Sequence, residues 1–129
     1  LEFNAKNIGL RRSKSQWKLV TNQDDFYPKP LLVFIANNLK NNQLNKGAIY
    51  QSPRSSINMT DINKFNNNIQ SSSTKCHVYP ISRKLKAGGD FNLFHVSLLS
   101  HVGGGYLEVN GHWHLDSEFL VRALWKNKY

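Results

Sequence analysis

Apolar side chains recur at helical spacing in two stretches of the chain. Leu31, Leu32, Ile35, Ala36 and Leu39 form one stripe, which predicts a helix from about Pro30 to Lys40 with proline in the first turn, where its missing donor does no harm. Phe119, Leu120, Ala123 and Leu124 form the second, in a final helix that Asp116 is placed to cap. Strand-like patterns lie between them. Cys76 to Ile81 centres on Val78 and Tyr79, and Phe91 to Leu99 carries Phe94, Val96 and Leu98 at alternating positions. Ala48 to Ile57 reads as extended around Ile49 and Tyr50, with Pro53 confining it to a sheet edge.

The remaining segments are polar. Residues 1–18 are basic and show no period that would bury a face, which predicts an extended arm. Residues 58–75, rich in Asn and Ser, read as a polar insertion. Arg83, Lys84 and Lys86, followed by Gly88-Gly89-Asp90, predict a basic hairpin whose permissive backbone allows a tight reversal. The expected fold is therefore α+β: a short N-terminal helix packed on a small antiparallel sheet, with a basic N-terminal arm and a C-terminal helical extension. The corresponding boundaries are residues 1–18 for the arm, 19–109 for the domain and 110–129 for the extension.

Charge narrows the functional classes. The 129 residues include 17 Lys and Arg against 8 Asp and Glu, a formal charge of +9, which attracts polyanions. The cations are scattered and do not lie along one amphipathic helix, which favours nucleic acid over a membrane surface. No apolar run approaches the roughly 18–20 residues of a membrane-spanning helix, and Leu1 to Leu10 lacks the apolar core of a signal peptide. The single cysteine, Cys76, excludes an internal disulfide and a cysteine-based zinc finger. About one residue in eight is asparagine, with many lysines and isoleucines, the bias an AT-rich coding sequence gives in some protist or organellar genomes.

Candidate reactive groups are sparse. His112 and His114 would share one face of a strand, but no Asp, Glu or Cys stands at a matching spacing, so no metal is expected. Cys76 opens an apolar strand, an environment for an inert thiol, and neither Asp24-Asp25 nor Asp116 with Glu118 makes a carboxylate dyad. No catalytic residue and no cofactor are expected. Gly103 to Gly105 lacks the Gly-Lys-Ser/Thr ending of a phosphate-binding loop, although amides at Gly103 and Gly104 could still donate to RNA phosphates. Three cationic clusters remain: Arg11, Arg12, Lys14 and Lys18 around Trp17, then Arg54 with Ser55 and Ser56, then Arg83, Lys84 and Lys86. Each pairs cations with hydroxyls or a stacking ring, a combination suited to structured RNA.

The order of these segments resembles the small-subunit ribosomal protein family numbered nineteen, particularly its mitochondrial forms. Arg12-Ser13, Trp17-Lys18 and Leu31-Leu32 match its opening block. Ile49-Tyr50-Gln51-Ser52-Pro53-Arg54-Ser55-Ser56-Ile57 matches the next, with Pro53 where the family has a first arginine. Val78-Tyr79, Arg83 to Lys86, Phe94 to Leu99 and Val102 to Val109 follow in the family's order, with Gly104 and Gly105 where it has His-Lys. The resemblance spans roughly Arg11 to Val109. It implies a non-enzymatic structural constituent of the small ribosomal subunit in the mitochondrial matrix, bound to small-subunit rRNA in the head. Its implied neighbours are the ribosomal protein numbered thirteen, the decoding-site tRNA and the bridge to the large subunit, with no membrane contact.

A second resemblance competes with it. Val102-Gly103-Gly104-Gly105-Tyr106, followed at a longer spacing by Phe119-Leu120, is similar to the growth-arrest-specific microtubule-binding module, and would imply an acidic protein filament as partner.

Overall fold

The computed structural model describes residues 2–23, 25–52, 91–107 and 115–126. Their elements are α1 (Glu2–Arg12), β1 (Trp17–Thr21), α2 (Lys29–Lys40), β2 (Ile49–Gln51), β3 (Phe91–His95), α3 (Ser97–His101) and α4 (Leu115–Lys126). The three strands form an antiparallel sheet in the order β1-β3-β2, so the fold is α+β. Trp17 faces His95 across one ladder and Ile49 faces Phe94 across the other.

The sheet separates two apolar clusters. Val20, Ile49 and Phe94 project to one side, where Leu10 of α1, Leu98 of α3, Val102, Tyr106, and Leu115, Phe119, Leu120 and Ala123 of α4 pack on them. Tyr50, Phe91 and Leu93 project to the other side and join Leu31 of α2 and Ala48, with Trp17, Tyr27, Ile35 and Leu44 against them. The central strand is therefore buried on both faces along its whole length. Phe94 and Phe119, both fully buried, meet with ring centroids 5.4 Å apart and tie α4 to the sheet. Each such side chain contributes about 1.5–3 kcal/mol by leaving water. The helix expected as a C-terminal extension thus supplies four buried side chains to the larger cluster.

Four other expectations need correction. Residues 1–18 do not form an extended arm, because α1 occupies Glu2–Arg12 and β1 begins at Trp17. Phe3, Asn7 and Leu10 fall at i, i+4 and i+7 on one face, and the middle position is polar, which hides the stripe. Asn7 is nevertheless 1% exposed: its amide donates to the Tyr106 carbonyl at 2.9 Å, and its Oδ1 accepts from the Tyr106 N–H at 2.8 Å. Glu2 in the first turn, ion-paired to Lys6 at 2.5 Å, and Arg11 and Arg12 in the last turn further suit the helix dipole.

The strand expected over Phe91 to Leu99 ends at His95, where the Ser97 N–H turns back to His95 Nδ1 and α3 begins. Val96 is consequently exposed while Leu98 is buried. Asp116, expected as a cap, lies within the first turn of α4, where its carboxylate still complements the helix dipole. The helix expected over Pro30 to Lys40 runs from Lys29, after an extended Pro28, but Leu32 and Ala36 of its stripe are exposed and Leu31 alone is fully buried. The strand at Cys76 to Ile81, the polar insertion and the basic hairpin lie outside the described residues.

Candidate nucleic-acid interface

The candidate RNA-binding residues fall into different environments. Arg11 and Arg12 are exposed at the C-terminal end of α1, and Lys14 is exposed in the connection to β1. These three form one continuous cationic projection, and no carboxylate interrupts residues 3–23. Lys18 differs from them. It is 4% exposed, and its ammonium donates to the Ser13 carbonyl at 2.5 Å, so it closes the α1–β1 connection and is not offered to a phosphate. Its position on a strand, with its neighbours alternating in and out, carries it under α1.

Trp17 is half-buried. Its ring meets His95 edge-on at 5.3 Å and Tyr50 at 6.2 Å, so it packs against the smaller apolar cluster. Ser15 donates its hydroxyl to the Trp17 carbonyl at 2.7 Å. His95 is itself buried, and its Nδ1 lies 2.8 Å from the Ser97 hydroxyl. Burial and the nearby Lys46 cation both hold its pKa below the ordinary histidine value.

Gly103 and Gly104 are exposed in a left-handed turn after α3, with φ of 72° and 91°. The Gly104 amide is committed to the Leu99 carbonyl at 2.7 Å. Gly105 is buried against α1: a Cβ there would stand 2.4 Å from Asn7 Oδ1. Arg122 of α4 closes the turn from the other side. Its guanidinium donates to the Val102 and Gly105 carbonyls while paired with Glu118 one turn earlier. Arg11 follows Asn7 by one turn of α1 and so shares its face of the helix.

Arg54, Ser55, Ser56, Arg83, Lys84 and Lys86 lie outside the described residues. Of the residues that organise the glycine turn, Gly105 belongs to the triple glycine that the sequence singles out, whereas Asn7 and Arg122 were not picked out by sequence reasoning. The one legible signal was the Glu118–Arg122 spacing of four residues. Lys6 is a further structural cation. It bonds Asn22 Oδ1 at 3.0 Å, pairs with Glu2 and lies 3.9 Å from Asp116. Beside it the Tyr106 hydroxyl is buried near Asp116 and Asn92, and burial with that carboxylate pushes its pKa well above the usual phenol value.

Among the described residues no three His, Cys, Asp or Glu side chains cluster as metal ligands, and no helix is long and apolar enough to cross a membrane. Comparisons with protein-family models, curated proteins and solved structures found no match.

Proposed function

We propose that the protein is a structural, RNA-binding constituent of a mitochondrial small ribosomal subunit. The observation that carries this reading is the exposed run Arg11, Arg12 and Lys14, gathered where α1 ends, within a stretch of sequence, residues 3–23, that holds no Asp or Glu. Cations so placed neutralise phosphates and release counterions without any need for base-specific geometry. The order of segments shared with the ribosomal family numbered nineteen supports the ribosomal assignment, and the asparagine-rich coding bias supports the mitochondrial one. The mechanism is positional: backbone contacts fix the domain on folded RNA, and the clusters around Arg54 and around Arg83, Lys84 and Lys86 add further phosphate contacts.

The test combines sedimentation with salt titration. Tagged full chain should co-sediment with small ribosomal subunits. Arg11→Ala, Arg12→Ala and Lys14→Ala together should lower the slope of log K against log salt on small-subunit rRNA by about 2–3. Pelleting on microtubules in place of subunits, or an unchanged slope, would refute the reading.

A further inference from the structure

Ser13, Lys14, Ser15 and Gln16 join α1 to β1 in irregular backbone, and all four are exposed. Their two hydroxyls have assigned roles. Ser15 Oγ donates to the Trp17 carbonyl at 2.7 Å, so its proton is committed, and the 2.9 Å contact between the hydroxyls is donated by Ser13. Among the described serines, Ser13 and Ser15 alone follow a Lys or Arg within three residues, so only they present a hydroxyl beside cations. Ser13 is held on both sides, its N–H by the Gly9 carbonyl at 3.0 Å and its C=O by the Lys18 ammonium. Ser15 has Arg12 three residues before it and Lys14 next to it, both exposed, and no described carboxylate pairs with either.

We infer that Ser15 is a phosphorylation site, read by a serine/threonine kinase that recognises Arg12, and that its phosphate draws Arg12 and Lys14 away from nucleic acid. A kinase cleft that holds its substrate extended sets a side chain three residues before the acceptor about 10 Å from the hydroxyl. Carboxylates there can pair with a guanidinium while the hydroxyl stays at the reaction centre. Fraying the last turn of α1 brings Arg12 into that register, and a helix end is where local opening costs least. In the transfer, Ser15 Oγ attacks the γ-phosphorus of a nucleoside triphosphate. The Oγ–P bond forms, the bridging P–O bond breaks, the hydroxyl proton passes to the kinase's base and the nucleoside diphosphate leaves. The product carries about −1.5 to −2 charges at pH 7, enough to offset two adjacent cations, and the Ser13 hydroxyl can donate to it. It stands past the negative end of the α1 dipole, so the cations and not the helix hold it. The regulatory consequence rests on the RNA reading of Arg11, Arg12 and Lys14, whereas the modification site does not.

The full chain is incubated with ATP and the catalytic domain of a kinase selective for arginine three residues before its acceptor, and mass spectrometry locates the phosphate. It should enter at Ser15, roughly tenfold more slowly in Arg12→Ala, and that site should stay empty in Ser15→Ala. In a phosphorus NMR titration its second pKa should lie about 0.5 below the usual value of about 6, and return there when Arg12→Ala and Lys14→Ala are combined. On small-subunit rRNA the phosphorylated chain should lose about 1–2 from its slope of log K against log salt, and kinase-treated Ser15→Ala should lose nothing. No incorporation, phosphate on Ser13 in place of Ser15, or a titration that the double substitution leaves unmoved would overturn the site. An unchanged slope in the phosphorylated chain would overturn the regulation and leave the RNA reading standing. An unmodified chain without a salt slope would refute the RNA reading and the regulation with it, while incorporation and titration still decide the site.

Discussion

Gly105→Ala should be among the most damaging single substitutions in the chain, and the structure gives its size. The new methyl would sit 2.4 Å from Asn7 Oδ1, well inside van der Waals contact, so the Asn7 carboxamide must withdraw. Withdrawal breaks the 2.9 and 2.8 Å bonds to the Tyr106 carbonyl and N–H. Both backbone groups belong to a residue that is 4% exposed, and each left without a partner costs about 1–3 kcal/mol. The φ of 157° at residue 105 adds backbone strain of about 1 kcal/mol for a residue with a Cβ. The sum is about 3–7 kcal/mol, a large share of the roughly 5–15 kcal/mol that a domain holds in total.

Urea unfolding followed by circular dichroism measures the loss, and a double-mutant cycle isolates its cause. In an Asn7→Ala background the clash and the paired bonds are already absent, so Gly105→Ala should cost only about 1 kcal/mol from the backbone, a coupling of about 2–6 kcal/mol. Costs that simply add, to within about 0.5 kcal/mol, would refute the argument that Gly105 is there to admit Asn7.

Other expectations rest on single contacts. Lys18→Met keeps the apolar stem but removes the donor to Ser13, and should lower stability by about 1–2 kcal/mol with no change in the salt slope of RNA binding; a changed slope would show that Lys18 reaches phosphate. Gly9→Ala fills open space on a helix, so denaturant titration should show a gain of about 0.5–1 kcal/mol, and a loss would mean that Gly9 has an unrecognised neighbour. His95 has its pKa lowered in the folded chain, so its neutral ring favours folding above about pH 6.5 and that contribution is lost as pH falls through the folded value. The stability difference between the wild type and His95→Asn should therefore narrow on acidification from pH 7.5 to about 5, and a constant difference would count against it.

The legible parts of the fold were those in which one face carries apolar residues and punctuation is local. Pro28 and Pro30 placed the start of α2, and Phe119, Leu120 and Ala123 marked the buried side of α4. Elements built on polar contacts were opaque. α1 closes on the larger cluster through Asn7, and a stripe with an asparagine at its centre does not stand out from a solvated helix or a coil. β3 is buried on both faces, so Asn92, held by Gln51 at 2.8 Å, and His95 break any alternation. The end of β3 depends on His95 turning back to Ser97, which hydropathy does not encode.

The same division runs through the candidate site. Residue type predicted that cations would matter, but burial decides what each one does. Lys6 holds Glu2 and Asn22, Lys18 holds the Ser13 carbonyl, and Arg122 holds the glycine turn together with Glu118, so three cations act inside the fold. Trp17, read from sequence as a stacking ring, also packs against Tyr50 and His95 at the margin of the smaller cluster. What these assignments leave exposed is more informative than the total charge. Arg11 and Arg12 stand where the helix dipole is negative, so the carbonyl end of α1 stabilises them. Helix ends usually satisfy such a field with one lysine or arginine. Here Arg11, Arg12 and Lys14 gather at that end, more charge than the helix requires, and all three side chains are exposed.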